Sequence, residues 1–415
     1  MRSVNPVLPK TEFAVERLLP PRQAIVAFFA RVTIPPPRSE LIALDEALGR
    51  ILAEPVVTGD DYPAAHRSAM DGFALRAQET PGEFELVDEV RMGAMPAASI
   101  AIRSACRIPT GGVLPEGTDS VVPIEEARAA RNRLFVDEAV ATGANVVERG
   151  ADMRRGETVL QPGRRIRAPQ VGVLATLGVT AVPVYRRPVV AVFSSGDELV
   201  DPDRSPSPGQ IRDSNRYAIA ASLRAMGVTA RHYPTLRDEE SEFESALATA
   251  LAECDGVVVT GGSSVGERDR LPHAVATIAD PGIVVHGLRV KPGKPTLFGA
   301  DAGKPIIGLP GNPMSALLML EAVAAPIIAA LVGAPVVAAT LQARLAAPAR
   351  SRADWTWYVP VTLQNDGEAL FAHPLPVRSF SVSLTARADG YVVMEERDEE
   401  LPAGAPVSVV SFLGG

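Results

Sequence analysis

The sequence predicts a multidomain chain of mixed class, α/β plus all-β: a doubly wound, mostly parallel sheet domain, small β-rich linker and lid domains, and a C-terminal β-barrel. Three observations predict it. Strands alternate with helices of about 10–15 residues only in the middle of the chain, and that alternation requires parallel pairing through crossover helices. On either side the apolar runs are short and are divided by the 37 prolines and 34 glycines, as in small β modules. The chain of 415 residues is also well beyond one domain of roughly 150.

The stripe Ile25, Val26, Phe28 and Phe29 predicts a helix over about 21–31, stopped by Pro35-Pro36-Pro37. A second short helical pattern follows over 41–52. Apolar runs at 84–87, 100–108, 120–122 and 134–136 predict a β-rich domain over 61–149. Residues 36–60 and 150–185 read as a β linker domain, with a Gln161-Pro162-Gly163 turn joining 158–160 to 164–166. Residues 1–35 and 186–335 form the α/β domain. Its elements are a strand at 189–193, a helix at 216–226 stopped by Gly227, a strand at 228–231, a helix capped by Asp238, and a strand at 256–259. A helix after Asp269, strands at 283–285 and 305–308, and a long helix from Pro313 complete it. From 336 to 415 the turn formers Asn365-Asp366-Gly367 and Ala388-Asp389-Gly390 separate the strands of a barrel. Residues 322–341 carry no charge and are long enough to cross a bilayer, but Pro326, Gly333 and Pro335 favour a buried helix ending near Gly333.

Apolar residues make up 47% and charged residues 22% of the chain, a globular composition that excludes disorder. With 41 Lys+Arg against 49 Asp+Glu, a net −8, and no long basic block, nucleic acid is a poor partner. Cys106 and Cys254 lie far apart, and His66, His232, His273, His286 and His373 share no ligand-like spacing with them, which excludes a zinc or disulfide scaffold. Sparse cysteine and a charged N-terminal stretch point to the cytoplasm, with no membrane association.

Ligands of open parallel sheets bind beyond the carboxyl ends of the strands. Three loops at such positions are rich in glycine: Ser194-Ser195-Gly196-Asp197-Glu198, Thr260-Gly261-Gly262-Ser263-Ser264-Val265-Gly266, and Leu309-Pro310-Gly311-Asn312-Pro313. Glycine lets the backbone approach an oxyanion, and serine adds hydroxyl donors. Lys291 and Lys294 could neutralise a pyrophosphate or a tetraoxo anion, or be two solvated lysines on a turn. The acids Glu198, Asp213, Asp255 and Asp269 would repel an anion unless a cation mediates, which argues for Mg²⁺. Asp213 could equally cap the helix through Arg216, and Asp255 could be a turn residue. No G-x-G-x-x-G opens a helix and no G-x-x-x-x-G-K-[ST] frame exists, so a dinucleotide-dependent dehydrogenase and a P-loop ATPase are excluded. Read from its residues alone, the chain is a multidomain enzyme acting on a phosphorylated, nucleotide-bearing ligand with Mg²⁺.

Beside these loops stand Ser68-Ala69-Met70-Asp71-Gly72-Phe73-Ala74, Thr110-Gly111, Pro115-Glu116-Gly117, Gly150-Ala151-Asp152, Asp213-Ser214-Asn215 and Lys291-Pro292-Gly293-Lys294-Pro295. In order and spacing the set resembles the molybdopterin molybdenumtransferase family, which includes the E domain of gephyrin, over nearly the whole chain. The resemblance implies a homodimer, a cleft built from the nucleotide fold of one subunit and the β domain of the other, and molybdenum cofactor biosynthesis. Its substrates would be adenylylated molybdopterin and molybdate, with Mg²⁺-dependent release of AMP, and the adenylyltransferase and recipient molybdoenzymes would be its partners. Carried over, Asp71, Thr110, Asp152, Glu198, Asp255 and Asp269 would be catalytic, with Asp71 and Asp269 near the metal. Ser195, Gly196, Gly261, Gly262, Ser264, Gly266, Lys291, Lys294, Pro310, Gly311, Asn312 and Pro313 would bind the cofactor. The chain departs from the family pattern at Val147, Glu148 and Ala151, and at Trp357, where an arginine is common. Those departures leave a non-catalytic, molybdopterin-binding scaffold as the alternative.

Overall fold

The structure, a computed structural model, describes residues 18–413 apart from 98, 238, 265–269 and 377–381. The chain divides into two compact units, one comprising the residues up to Ala53, Arg165–Arg167 and Ala181 onward, the other Glu54–Arg164 and Ala168–Thr180.

The first unit is built on a six-stranded sheet in the order Thr229–His232, Val189–Ser194, Gly256–Thr260, Lys304–Leu309, Leu297–Asp301, Pro281–His286. The first four strands run parallel, Leu297–Asp301 runs antiparallel to both its neighbours, and Pro281–His286 again has the direction of the first four. Side chains alternate across the sheet, and both faces are covered. Val190, Val192, Val258 and Ile307 pack under the helices Asn215–Met226 and Pro313–Val332. Ala191, Phe193, Val257, Val259 and Ile306 pack under Glu240–Glu253 and Leu271–Ile278. Burial of both faces is why these strands read as unbroken apolar runs. Asn215–Met226 ends at Gly227, whose φ of 102° makes the left-handed stop.

Pro313–Val332 is the one helix among the described residues long and apolar enough to cross a membrane. It carries Met314, Leu318, Met319, Val323, Ile327 and Ile328 into the core under the sheet, with a π-helical stretch at Met319–Ala324. The antiparallel strand Leu297–Asp301 escaped the sequence reading, because its apolar run Leu297-Phe298 follows directly on the Lys-Pro-Gly-Lys-Pro loop.

The C-terminal strands close a barrel as predicted. Thr356–Asn365 pairs with Leu370–Pro374 on one side and with Gly390–Met394 on the other. Pro406–Ser411 and Thr340–Leu345 complete the ring. Val361, Ala372, Met394, Leu345 and Val409 fill its interior. Two local readings change. Ala388-Asp389-Gly390 is preceded by a helix, Val382–Arg387, instead of a strand. The helical pattern over 41–52 is instead a strand, Ser39–Ala43, paired with Ala181–Tyr185. A single 3-10 turn, Leu44–Glu46, follows it. Ala47, Ile51 and Leu52 are buried while Leu41 and Leu48 are exposed, so the apolar residues do not line one helical face.

In the second unit, a six-stranded sheet has the order Ser120–Pro123, Gly72–Leu75, Ser104–Ile108, Gly82–Glu89, Arg133–Val136, Ala127–Ala130. Phe73, Leu75, Ala105 and Val122 point to one face, Ala74, Cys106 and Val121 to the other, the period of two expected of strands. A side chain at Gly72 would collide with the Val122 carbonyl of the adjacent strand, so the glycine of Asp71-Gly72 is a packing requirement. Thr158–Leu160 pairs with Val56–Val57 instead of with 164–166, and Ala168–Thr176 is a helix within the segment predicted as β, with Pro169 in its first turn, where proline costs no hydrogen bond.

Candidate active site

The candidate residues fall in both units. In the α/β unit the three glycine-rich loops leave adjacent parallel strands at one edge, after Ser194, Thr260 and Leu309. Hydrogen bonds join them loop to loop. Ser195 N donates to Thr260 O at 2.8 Å, and Gly261 N to Leu309 O at 3.0 Å. Ser263 Oγ donates to Leu309 O at 3.1 Å, and Asn215 Nδ2 to Gly311 O at 2.8 Å. Gly261 has a φ of +85°, and a Cβ there would lie 2.6 Å from Ser195 O. The loops approach each other closely because this residue has no side chain. Asn312 caps the helix that begins at Pro313, its Oδ1 accepting from Ser315 N at 3.2 Å and Ser315 Oγ at 3.1 Å.

Asp213, left open between helix cap and acidic ligand, is buried and committed. Its Oδ1 accepts from Ser194 Oγ at 2.9 Å and from Arg216 N at 3.1 Å, and Oδ2 faces Arg216 Nε at 3.3 Å. Ser194 Oγ also meets Thr260 Oγ1 at 3.0 Å. This network ties the first loop, the second loop and the helix Asn215–Met226 together beneath the site. Glu198 is exposed, with its carboxylate folded over Gly196.

Lys291 and Lys294 lie on the loop after Pro281–His286, a strand whose carboxyl end shares the edge of the three loops. His286 Nε2 contacts Ser263 O at 2.9 Å, joining that strand end to the second loop. The lysine loop is held by Leu288 N to Lys294 O at 2.8 Å and Thr296 Oγ1 to Gly293 O at 2.7 Å. A side chain at Gly293 would collide with Met319, so the loop sits directly on the long helix.

The structure does not bring Asp255 to this edge. It precedes Gly256–Thr260, at the opposite end of the strand, where its Oδ2 accepts from Val189 N at 2.7 Å and from Arg186 Nη2 at 3.0 Å. Gly266 and Asp269 lie outside the described residues, and so does the predicted cap Asp238.

In the second unit Asp71 sits at the start of Gly72–Leu75 and accepts on Oδ1 from Thr110 N at 2.6 Å and Thr110 Oγ1 at 2.8 Å. The Thr110 amide, followed by its hydroxyl, holds the carboxyl below the usual carboxylate range. Ser68 and Thr110-Gly111-Gly112 are clasped by Gly111 N to Ser68 O at 2.7 Å and Ser68 N to Gly112 O at 2.9 Å. Arg67 Nη1 adds a bond to Gly111 O at 2.6 Å. Asp152 is exposed on the turn after Gly150, with its N–H on Tyr62 O at 3.1 Å.

Sequence reasoning missed the organiser of that turn, Asp61. It accepts from Arg155 N at 2.9 Å and Arg149 Nε at 2.7 Å, and these donors, the amide first, lower its pKa. It also missed Asn215 and His286 as loop clamps. Each clamps through a main-chain carbonyl far away in sequence, so no local signal could have found it.

Comparison with known proteins agrees with this layout. Family profiles match residues 19–178 (MoeA N-terminal region, domain I and II), 191–330 (probable molybdopterin binding domain) and 342–412 (MoeA C-terminal region, domain IV). The chain is 35% identical over 300 residues to the molybdopterin molybdenumtransferase of a Nostoc species, covering 70% of this chain and 69% of that protein. It is 30% identical over 385 residues to that of Bacillus subtilis, covering 90% and 89%. A molybdopterin biosynthesis MoeA protein of Pyrococcus horikoshii is similar in structure, with a TM-score of 0.84 at 26% identity over 95% of this chain and 100% of that one.

Proposed function

Because the chain belongs to the molybdopterin molybdenumtransferase family, enzymes of molybdenum cofactor biosynthesis, we propose that it inserts molybdate into adenylylated molybdopterin and cleaves the adenylate in a Mg²⁺-dependent step. In that step water adds at a phosphorus, the bridging P–O bond breaks, and AMP departs. One observation carries this reading: three glycine-rich loops and a two-lysine loop leave the same edge of one sheet.

The backbone N–H of Gly262 and the hydroxyls of Ser195 and Ser264 are suited to phosphate oxygens, and the Lys291 and Lys294 ammonium groups to the oxyanion. Among the described residues no three His, Cys, Asp or Glu side chains cluster as a metal cage. Mg²⁺ in phosphate chemistry uses one or two carboxylates and completes its shell with phosphate oxygens and water. Asp71 fits that mode, with one oxygen occupied by Thr110 and the other without a protein partner among the described residues. When bound, the ion would supply neutralisation of phosphoanhydride charge. A carboxylate with a lowered pKa is a weak base at neutral pH, so Asp71 orients the ion or the attacking water and does not take its proton. Glu198 and Asp152 remain candidates for orienting water, and the placement of Asp255 favours a structural role. We place the enzyme in the cytoplasm as a homodimer, which sedimentation would test.

The decisive experiment incubates purified protein with adenylylated molybdopterin, molybdate and Mg²⁺ and follows AMP together with activation of an apo-molybdoenzyme. Both are expected to appear in step. Adenylate binding without AMP release would replace this reading with a molybdopterin-binding scaffold.

A further inference from the structure

Lys291 is placed by a barrel as well as by its own loop. The two-residue strand Val290–Lys291 pairs in parallel with the start of Thr356–Asn365, in the register Val290 with Thr356 and Lys291 with Trp357. Thr356 N donates to Arg289 O at 3.1 Å and locks that register. The Lys291 Nζ stands 4.3 Å from the centroid of the Trp357 ring. Among the described residues no carboxylate pairs with this ammonium, and the side chain is exposed.

The indole is not held by its own polar atom. Its Nε1 is shielded from solvent and has no hydrogen-bond partner among the described residues, so barrel packing and the cation over its face are what hold the ring. A tryptophan face is the strongest aromatic partner for an ammonium. It attracts the charge without consuming it, whereas a carboxylate in the same place would neutralise the lysine and repel an anion.

We infer that Trp357 is a positioning residue for oxyanion capture: its ring fixes the Lys291 ammonium at the loop edge with its positive charge unpaired. This rests on the proposed function and deepens it, since the barrel then takes part in molybdate binding through a residue that cannot itself bond to the anion as the more common arginine could.

The test exploits the presence of only two tryptophans in the chain. In Trp355→Phe, emission reports Trp357 alone. Titration with molybdate, and separately with tungstate, should change that emission saturably as the anion settles against the ammonium held on the ring, and adding Lys291→Ala should abolish the change. In turnover, Trp357→Leu should raise the KM for molybdate about three- to tenfold with little change in kcat, and Trp357→Phe should recover part of the loss. Emission that ignores saturating molybdate, or an unaltered molybdate KM in Trp357→Leu with wild-type turnover intact, overturns the inference and leaves the proposed function standing. A wild-type protein that neither binds molybdate nor releases AMP overturns both. If Trp357→Leu does not fold, the emission titration and Trp357→Phe still decide.

Discussion

Thr110 donates twice to the same oxygen of Asp71, through its amide at 2.6 Å and its hydroxyl at 2.8 Å. Two donors on one carboxylate oxygen favour the charged form, and the pKa lies below its ordinary 3.8. Thr110→Val removes the hydroxyl donor and keeps the amide. The Asp71 pKa then climbs toward its ordinary value, so the acidic limb of the kcat/KM profile moves to higher pH, and Thr110→Ser moves it back. An acidic limb that stays in place in Thr110→Val shows that turnover does not depend on the ionisation of Asp71.

Asp71→Asn tests the charge with the geometry retained. The amide oxygen can still accept both Thr110 donors, so the melting temperature should stay near that of the parent. The negative charge is lost, and kcat should fall by roughly 10²- to 10³-fold, the scale of losing one preorganised electrostatic contact. Parallel losses of folding and activity would make Asp71 a turn residue only.

Gly261→Ala tests the close approach of the loops. At a φ of +85°, with the new Cβ 2.6 Å from Ser195 O, alanine is strained both by its own backbone and by its neighbour. Destabilisation of about 1–3 kcal/mol in denaturant titration, together with weaker adenylate binding, is expected. Full stability and full affinity would mean that the loops have room to part.

Glu321 lies buried on the long helix, where its carboxylate accepts from Ser222 Oγ at 2.7 Å and Leu413 N at 2.8 Å. Burial raises its pKa above the ordinary 4.5 and outweighs the two donors. The folded state therefore holds a proton that the unfolded chain releases, and stability falls as pH rises from 4.5 through the raised value. Glu321→Gln keeps both contacts, since the serine hydroxyl can reverse its role, and should flatten this part of the stability–pH curve. The same slope in Glu321→Gln would assign it to another group.

How much of this was legible depends on the range of the interaction. The parallel core was readable because strands buried on both faces, such as Val189–Ser194, spell out their environment in consecutive apolar residues. The turn Asn365-Asp366-Gly367 was readable because its hydrogen bonds are local, with Asn365 Oδ1 accepting from Gly367 N at 2.9 Å. Ser39–Ala43 was misread because its partner, Ala181–Tyr185, is remote in sequence and leaves no periodicity in either segment.

The candidate site divides in the same way. The loops and the two lysines could be named from sequence, because glycine and lysine announce backbone freedom and charge wherever they occur, and Asp71 through the family resemblance of its Ser-Ala-Met-Asp-Gly motif. The same letters did not distinguish Asp213, buried under Arg216 and Ser194, from an acidic ligand, nor locate Asp255 at the far end of its strand beside Arg186.

The sequence by itself determined which segments are the parallel strands and their helices and which loops carry the glycines that let backbones approach closely, because those properties depend on apolar period and on residues that differ in backbone freedom. Only the tertiary structure decided which acids are spent on internal hydrogen bonds and that Lys291 lies over Trp357. Such pairings depend on burial and direction in space, and chain order encodes neither.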